Sequence, residues 1–283
     1  MKSVSIRYVI VLFAFFSCGK EDDPIDVQPS PAYKTTKNVS YNGVSVDILI
    51  DKPDGNEFDV LITFHGTVQS DSNIMPAAEN VLNQFKNILD KDDMMIVSVA
   101  YPQEGLLFGD GILQCEAALL WVQNRASEEL QVTIKKVFLA GHSQGGYMVT
   151  RLNTMHATDG VVANAPGPIN LEFRCGLEEN GQIPSGLVCT LLENEYGPPS
   201  VNPTPYFERS LLNFTSGYKS DILFVQGLED APVQMYTWPT FKDSLLNCNN
   251  CKNIEFLELQ GQGHGALFNS SQAKEAFNDF INR

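Results

Sequence analysis

The run Gly141-His142-Ser143-Gln144-Gly145 places a serine between two glycines at the spacing of a nucleophile elbow. It follows the apolar run Lys136 to Ala140 and opens a helical pattern, Gln144 to His156. That context predicts a sharp strand-to-helix turn with the Ser143 hydroxyl exposed at its tip, and small residues at 141, 145 and 146 where bulk would clash. A serine hydroxyl attacks a carbonyl only when a base removes its proton. Of the four histidines, at 65, 142, 156 and 264, His264 lies in the glycine-rich stretch Gly261 to Gly265, just after the last strand pattern. His142 sits in the elbow and cannot readily swing back to Ser143. His156 ends the following helix, where it is expected at the surface, and His65 is expected to shape an early loop. His264 is therefore the candidate base. Asp230, in Gly227-Leu228-Glu229-Asp230, is the candidate orienting acid, with Glu229 its nearest rival.

Charge that builds on the substrate oxygen needs two N–H donors. The backbone N–H of Gln144, at a helix N-terminus, is one candidate. The backbone N–H of Thr67, in Phe64-His65-Gly66-Thr67, is the other. This chemistry needs no metal and no organic cofactor. An imidazole base implies that activity falls as acid protonates it.

The elements that must position these groups alternate. Strand patterns at 44–50, 59–64, 94–100, 136–140, 160–165, 221–226 and 254–259 are interleaved with helical patterns at 75–90, 112–130, 144–156, 233–246 and 272–281. Such alternation predicts an α/β fold, a mostly parallel sheet with helices on both faces. Fully apolar runs such as Ile222-Leu223-Phe224-Val225 suit strands covered on both sides. Residues 166–217 break the rhythm. Seven prolines and several aromatics there predict an insertion over the carboxyl ends of the strands, a lid or substrate wall.

The chain order Ser143, Asp230, His264 resembles that of α/β-hydrolases. Residues from about 40 to 283 look like a secreted serine esterase of that superfamily. Gly-His-Ser-Gln-Gly-Gly and the early His-Gly-Thr are similar to polyester depolymerases and feruloyl esterases. The stretch from Tyr206 to Asp230 resembles prolyl-oligopeptidase-type and dienelactone-hydrolase-type enzymes. The resemblance implies an α/β-hydrolase fold with an insertion after the sixth strand, and hydrolysis of an ester, small or on an acylated polymer, through an acyl-enzyme. A peptidase or amidase would keep the same triad, and a non-catalytic surface-binding protein could keep the scaffold. The short segment before residue 39 has no room for the propeller of a full prolyl oligopeptidase.

The N-terminus reads as an address. Lys2 and Arg7 precede the apolar stretch Tyr8 to Phe16, which is too short to span a bilayer, so residues 1–17 have the layout of a signal peptide. Phe16-Ser17-Cys18-Gly19 resembles a bacterial lipobox, although Phe15 stands where Leu is usual; the resemblance implies a lipid on Cys18. The run Lys20-Glu21-Asp22-Asp23 resembles a surface-export tag of some Bacteroidota lipoproteins. Residues 18–38 are read as a tether, and 39–283 as one catalytic domain. The implied location is the outer membrane or cell surface, with a periplasm-facing orientation also open.

Charge and cysteines narrow the rest. The chain has 283 residues, 43% of them hydrophobic, enough for a sizeable core and against a disordered chain. Nineteen basic residues against 34 acidic ones give a net charge of -15, which excludes a nucleic-acid partner for want of a basic face. Loss of residues 1–17 removes two cations and no acid, so the charge becomes -17 and lipid is left as the only hold on an anionic membrane. A monomer is expected. Cys175 with Cys189 and Cys248 with Cys251 are candidate disulfides. The C-x-x-C spacing of the second pair also suits a metal site, but matching further ligands are missing. Cys115 is expected to be a buried free thiol.

Overall fold

The computed structural model describes residues 29–102 and 107–283. Cys18, the signal segment and most of the tether lie outside them. Eight strands form one sheet: β1 (Tyr33–Tyr41), β2 (Val44–Lys52), β3 (Glu57–Phe64), β4 (Met95–Ala100), β5 (Thr133–His142), β6 (Gly160–Asn164), β7 (Ile222–Gly227) and β8 (Ile254–Leu259). Their order is β1-β2-β4-β3-β5-β6-β7-β8. The β1–β2 and β2–β4 pairs are antiparallel, and every other pair is parallel.

The helices are α1 (Ile74–Lys86), α2 (Ile112–Asn124), α3 (Ala126–Leu130), α4 (Gln144–Met155), α5 (Leu171–Glu179), α6 (Leu187–Tyr196), α7 (Thr204–Glu208), α8 (Pro232–Leu246), α9 (Ala266–Asn269) and α10 (Ser271–Ile281). Side-chain alternation along each strand divides the core between the two faces. Val60, Ile62, Phe64, Val137 and Leu139 join residues of α2, α4 and α8 on one face. Leu61, Phe138 and Ala140 join residues of α1 and α10 on the other. Both faces are covered, as the continuous apolar runs require.

Several boundaries differ from the sequence reading, three of them most: the start of the sheet and the extents of the first two helices. The tether was expected to extend to residue 38, but β1 begins at Tyr33. The chain is held even earlier: the Ser30 N–H donates to Asn56 Oδ1 at 3.0 Å, and Lys52 Nζ donates to the carbonyls of Ser30 and Pro31. β1 pairs only with β2 and is mostly exposed, so it carries no apolar alternation. The helix expected over 112–130 is broken at Arg125, whose backbone leaves the helical region at φ -131°. The first helix stops at Lys86 rather than at residue 90.

The insertion follows β6, the sixth strand in chain order. It is largely helical, comprising α5, α6 and α7. Asn170 caps α5, its side chain accepting the Phe173 N–H at 3.0 Å. A Cys175–Cys189 disulfide joins α5 to α6, and Cys248–Cys251 closes a short loop after α8. Cys115 is free and buried in α2. No helix of the described residues is long and apolar enough to cross a membrane.

Candidate active site

The candidate residues all lie beyond the carboxyl ends of parallel strands: Thr67 after β3, Ser143 after β5, Asp230 after β7 and His264 after β8. Ser143 has φ 58° and ψ -118°, a strained conformation for a residue with a Cβ. The turn around it is held by backbone bonds. Its N–H donates to the Asn164 carbonyl at 2.9 Å, and its own carbonyl accepts from Tyr147 at 3.0 Å and Gly167 at 3.2 Å. The flanking glycines are a packing necessity. A Cβ on Gly141 would lie 2.1 Å from the Gly145 carbonyl oxygen, and one on Gly145 would lie 1.9 Å from that of Phe64.

His264 Nδ1 donates to Asp230 Oδ2 at 2.8 Å. The Asp230 side chain is 3% exposed and that of His264 is 47% exposed, so the acid is sheltered and the ring reaches the cavity. Asp230 Oδ2 also accepts from Gln226 Nε2 at 3.0 Å, and Oδ1 from the Ala231 N–H at 2.6 Å. Burial opposes ionisation of Asp230. The His264 hydrogen bond and charge, with the Gln226 and Ala231 donors, outweigh it and hold the carboxyl below its ordinary value. Glu229 lines the same cavity, but the imidazole partner is Asp230. The loops that carry Asp230 and His264 meet backbone to backbone at Gly227, where a Cβ would lie 2.2 Å from the Gly263 carbonyl oxygen.

Two connections were not foreseen from sequence: the Asn164 bridge, and the Tyr101 anchor of the loop that His65 was expected to shape. Asn164, fully buried at the end of β6, takes the Ser143 N–H on its carbonyl. Its Nδ2 donates to His142 Nδ1 at 2.9 Å, and its Oδ1 accepts the Leu267 N–H at 3.3 Å. One side chain thus ties the elbow to the segment that carries His264. The His142 ring packs 4.8 Å from that of His264, centroid to centroid. Burial first, then the neighbouring His264, lower the His142 pKa to about 4, so it stays neutral with its proton on Nε2.

The second connection concerns the early loop. His65 is buried, stacks on Tyr101 at 4.6 Å, and donates from Nδ1 to the Gly66 carbonyl at 2.7 Å. Burial lowers its pKa, consistent with a neutral ring. Tyr101, whose phenol burial keeps protonated, donates to the His65 carbonyl at 2.5 Å. The Gly66–Thr67 peptide is trans, so pinning the Gly66 carbonyl turns the Thr67 N–H the opposite way. This loop approaches the elbow closely: a Cβ on Gly66 would lie 3.4 Å from Ser143 Cβ. Gln144 is the first residue of α4, so its N–H has no acceptor within the helix.

His156 is half-buried rather than a free surface residue, with Nε2 2.6 Å from Glu116 Oε1. A cavity of about 570 Å³ opens over Ser143. Thr67, Asp230 and His264 line it on one side, and the insertion contributes Gly167 to Asn170, Arg174 and Gly186 to Val188. This volume falls in the range of small-molecule sites.

The chain matches no family model, and no curated protein matches it. Solved structures do resemble it. An esterase of Pyrobaculum calidifontis superposes with a TM-score of 0.63 at 17% identity, over 90% of this chain and 85% of that one. An esterase of Pyrococcus furiosus gives 0.64 at 17% identity, over 89% and 91%. The acylaminoacyl peptidase of Pyrococcus horikoshii gives 0.62 at 15% identity, over 90% of this chain.

The chain has the α/β-hydrolase fold.

It spans 42% of the length of that peptidase. Ser143, Asp230 and His264 lie in the loops after β5, β7 and β8.

Proposed function

We propose that this protein is a serine hydrolase that cleaves carboxylic esters. The observation that carries the reading is the 2.8 Å bond from His264 to the sheltered Asp230, at the wall of the cavity into which the strained Ser143 turn opens. In this reading Asp230 holds the Nδ1–H tautomer, which leaves Nε2 of His264 free to take the Ser143 proton. Ser143 Oγ attacks the ester carbon, and the Gln144 and Thr67 N–H groups stabilise the oxyanion. His264 returns the proton to the leaving alcohol, giving an acyl-enzyme. Water activated by the same imidazole then releases the acid and restores Ser143.

A panel of p-nitrophenyl esters and peptide anilides tests the assignment. Ester turnover that far exceeds anilide turnover, and disappears in Ser143→Ala, is the expected result. Preferential anilide cleavage would make the enzyme a peptidase, and no turnover of either class would favour a binding protein on this scaffold.

We further propose that the chain is exported, acylated on Cys18 and monomeric. Two disulfides suit an oxidising compartment and support export. Incorporation of a fatty-acid analogue that survives Cys18→Ala would refute the anchor.

A further inference from the structure

The wall that the insertion presents to the Ser143 cavity contains one cation. Arg174, on α5, is the only Lys or Arg lining that cavity among the described residues. Its position is fixed from several sides. Nε donates to Glu178 Oε1 at 3.1 Å, one helical turn on. Glu178 is itself buried, with a side chain 5% exposed, and spends its other oxygen on the Gly186 N–H at 2.7 Å, just before α6. The next residue, Cys175, is bonded to Cys189 of α6. Glu178 does not line the cavity, so the acid that holds Arg174 stands behind it.

This arrangement uses one edge of the guanidinium for position and leaves the other edge unspent. The Nη groups donate to no acceptor among the described residues. An arginine held through Nε by a carboxylate whose other oxygen is also bonded, on the wall of the cavity that Ser143 lines, is a preorganised partner for a planar oxyanion. In a chain with 34 acidic and 19 basic residues, such a placement works against the general charge.

We propose that Arg174 is a specificity-determining residue that binds a carboxylate on the substrate, so that the preferred esters carry an anionic group in addition to the scissile bond. This rests on the esterase reading above. The carboxylate could belong to the acyl half or to the alcohol half, and the recognition chemistry is the same.

The experiment compares matched pairs. For the acyl half, mono-4-nitrophenyl glutarate is set against 4-nitrophenyl butyrate. For the alcohol half, 4-carboxyphenyl butyrate is set against phenyl butyrate. In the half that Arg174 reads, wild type should favour the anionic member in kcat/KM by about 10- to 100-fold. Arg174→Gln should remove that preference while changing hydrolysis of the neutral member less than about threefold. Arg174→Lys, which keeps the charge without the fork, should retain part of it. Should the variants fold poorly, wild type alone still decides: free glutarate should inhibit neutral-ester hydrolysis competitively at far lower concentration than neutral glutaramide. Hydrolysis of neutral esters with no anionic preference in either pair, together with equal inhibition by the two additives, would overturn the proposal and leave the esterase intact. No turnover of any ester would instead defeat the esterase reading on which the proposal stands.

Discussion

The elbow around Ser143 and the insertion at 166–217 face each other across one cavity but are held by different forces. The elbow is steric. Its backbone threads between neighbouring strands with so little room that the Gly145 Cα stands against the Phe64 carbonyl, and Ser143 is kept at positive φ by three backbone hydrogen bonds. The insertion is stitched instead. A disulfide, the Arg174–Glu178–Gly186 contacts and an Asn170 cap hold short helices that leave much surface to solvent. Each kind of packing suits a different role. The proposed reading puts bond-breaking chemistry on the part that cannot yield, and choice of substrate on the part whose side chains can change without disturbing the sheet.

That contrast can be broken or sharpened by substitution. The largest effect is expected at Gly145→Ala. A Cβ there meets backbone rather than a movable side chain, so the loss should exceed about 4 kcal/mol, read by denaturant unfolding or as failure to fold. Tolerance of alanine at 145 would show that the elbow yields after all. Next comes the double change Cys175→Ser with Cys189→Ser. Opening a loop of this size should cost about 3 kcal/mol, concentrated in the insertion. It should raise KM for esters more than it lowers kcat. An equal loss in kcat would mean that the insertion also positions the nucleophile.

The pH dependence of stability should come mainly from the rigid side. His142 has its folded pKa lowered from 6.5 to about 4, so between those values the unfolded chain takes up a proton that the folded chain refuses. Stability therefore falls as pH drops through that window. Asp230 has a lowered folded pKa, so its contribution is present above the unfolded carboxylate value and is lost as pH falls through the folded one. Melting temperature measured from pH 7 down to 4 should decline, and His142→Asn should flatten the upper part of the decline. An unchanged curve in that variant would contradict a buried neutral His142. The smallest effect is expected at Gly176→Ala in α5, where a Cβ would have nothing within 4 Å. Helix propensity alone should stabilise the protein there by up to about 1 kcal/mol, in contrast with the same change at 145.

What could be read from the sequence follows the same division. The elbow was legible because its steric demand admits only glycine at 141 and 145, and the central strands because burial on both faces forces continuous apolar runs. β1 was not legible by burial, since an edge strand can be polar along most of its length. The Asn42-Gly43 pair that turns it into β2, with φ 50° and 82°, was the signal that would have found it. Asn164, Gln226 and Tyr101 serve the site through contacts distant in sequence. Nothing in their spacing marks them, and only the fold brings the Asn164 amide between His142 and Leu267. The insertion was legible as an interruption rich in proline, but its three helices and the Arg174 anchor depend on tertiary contacts that composition does not encode.

In the proposed mechanism Ser143 is the nucleophile and His264 serves it. Reaction of the folded protein with a fluorophosphonate probe, followed by peptide mass spectrometry, tests it most directly. A single adduct on Ser143 is expected, formed at least about a hundredfold more slowly in His264→Ala. An adduct on another residue, or a Ser143 adduct whose rate does not depend on His264, would contradict it.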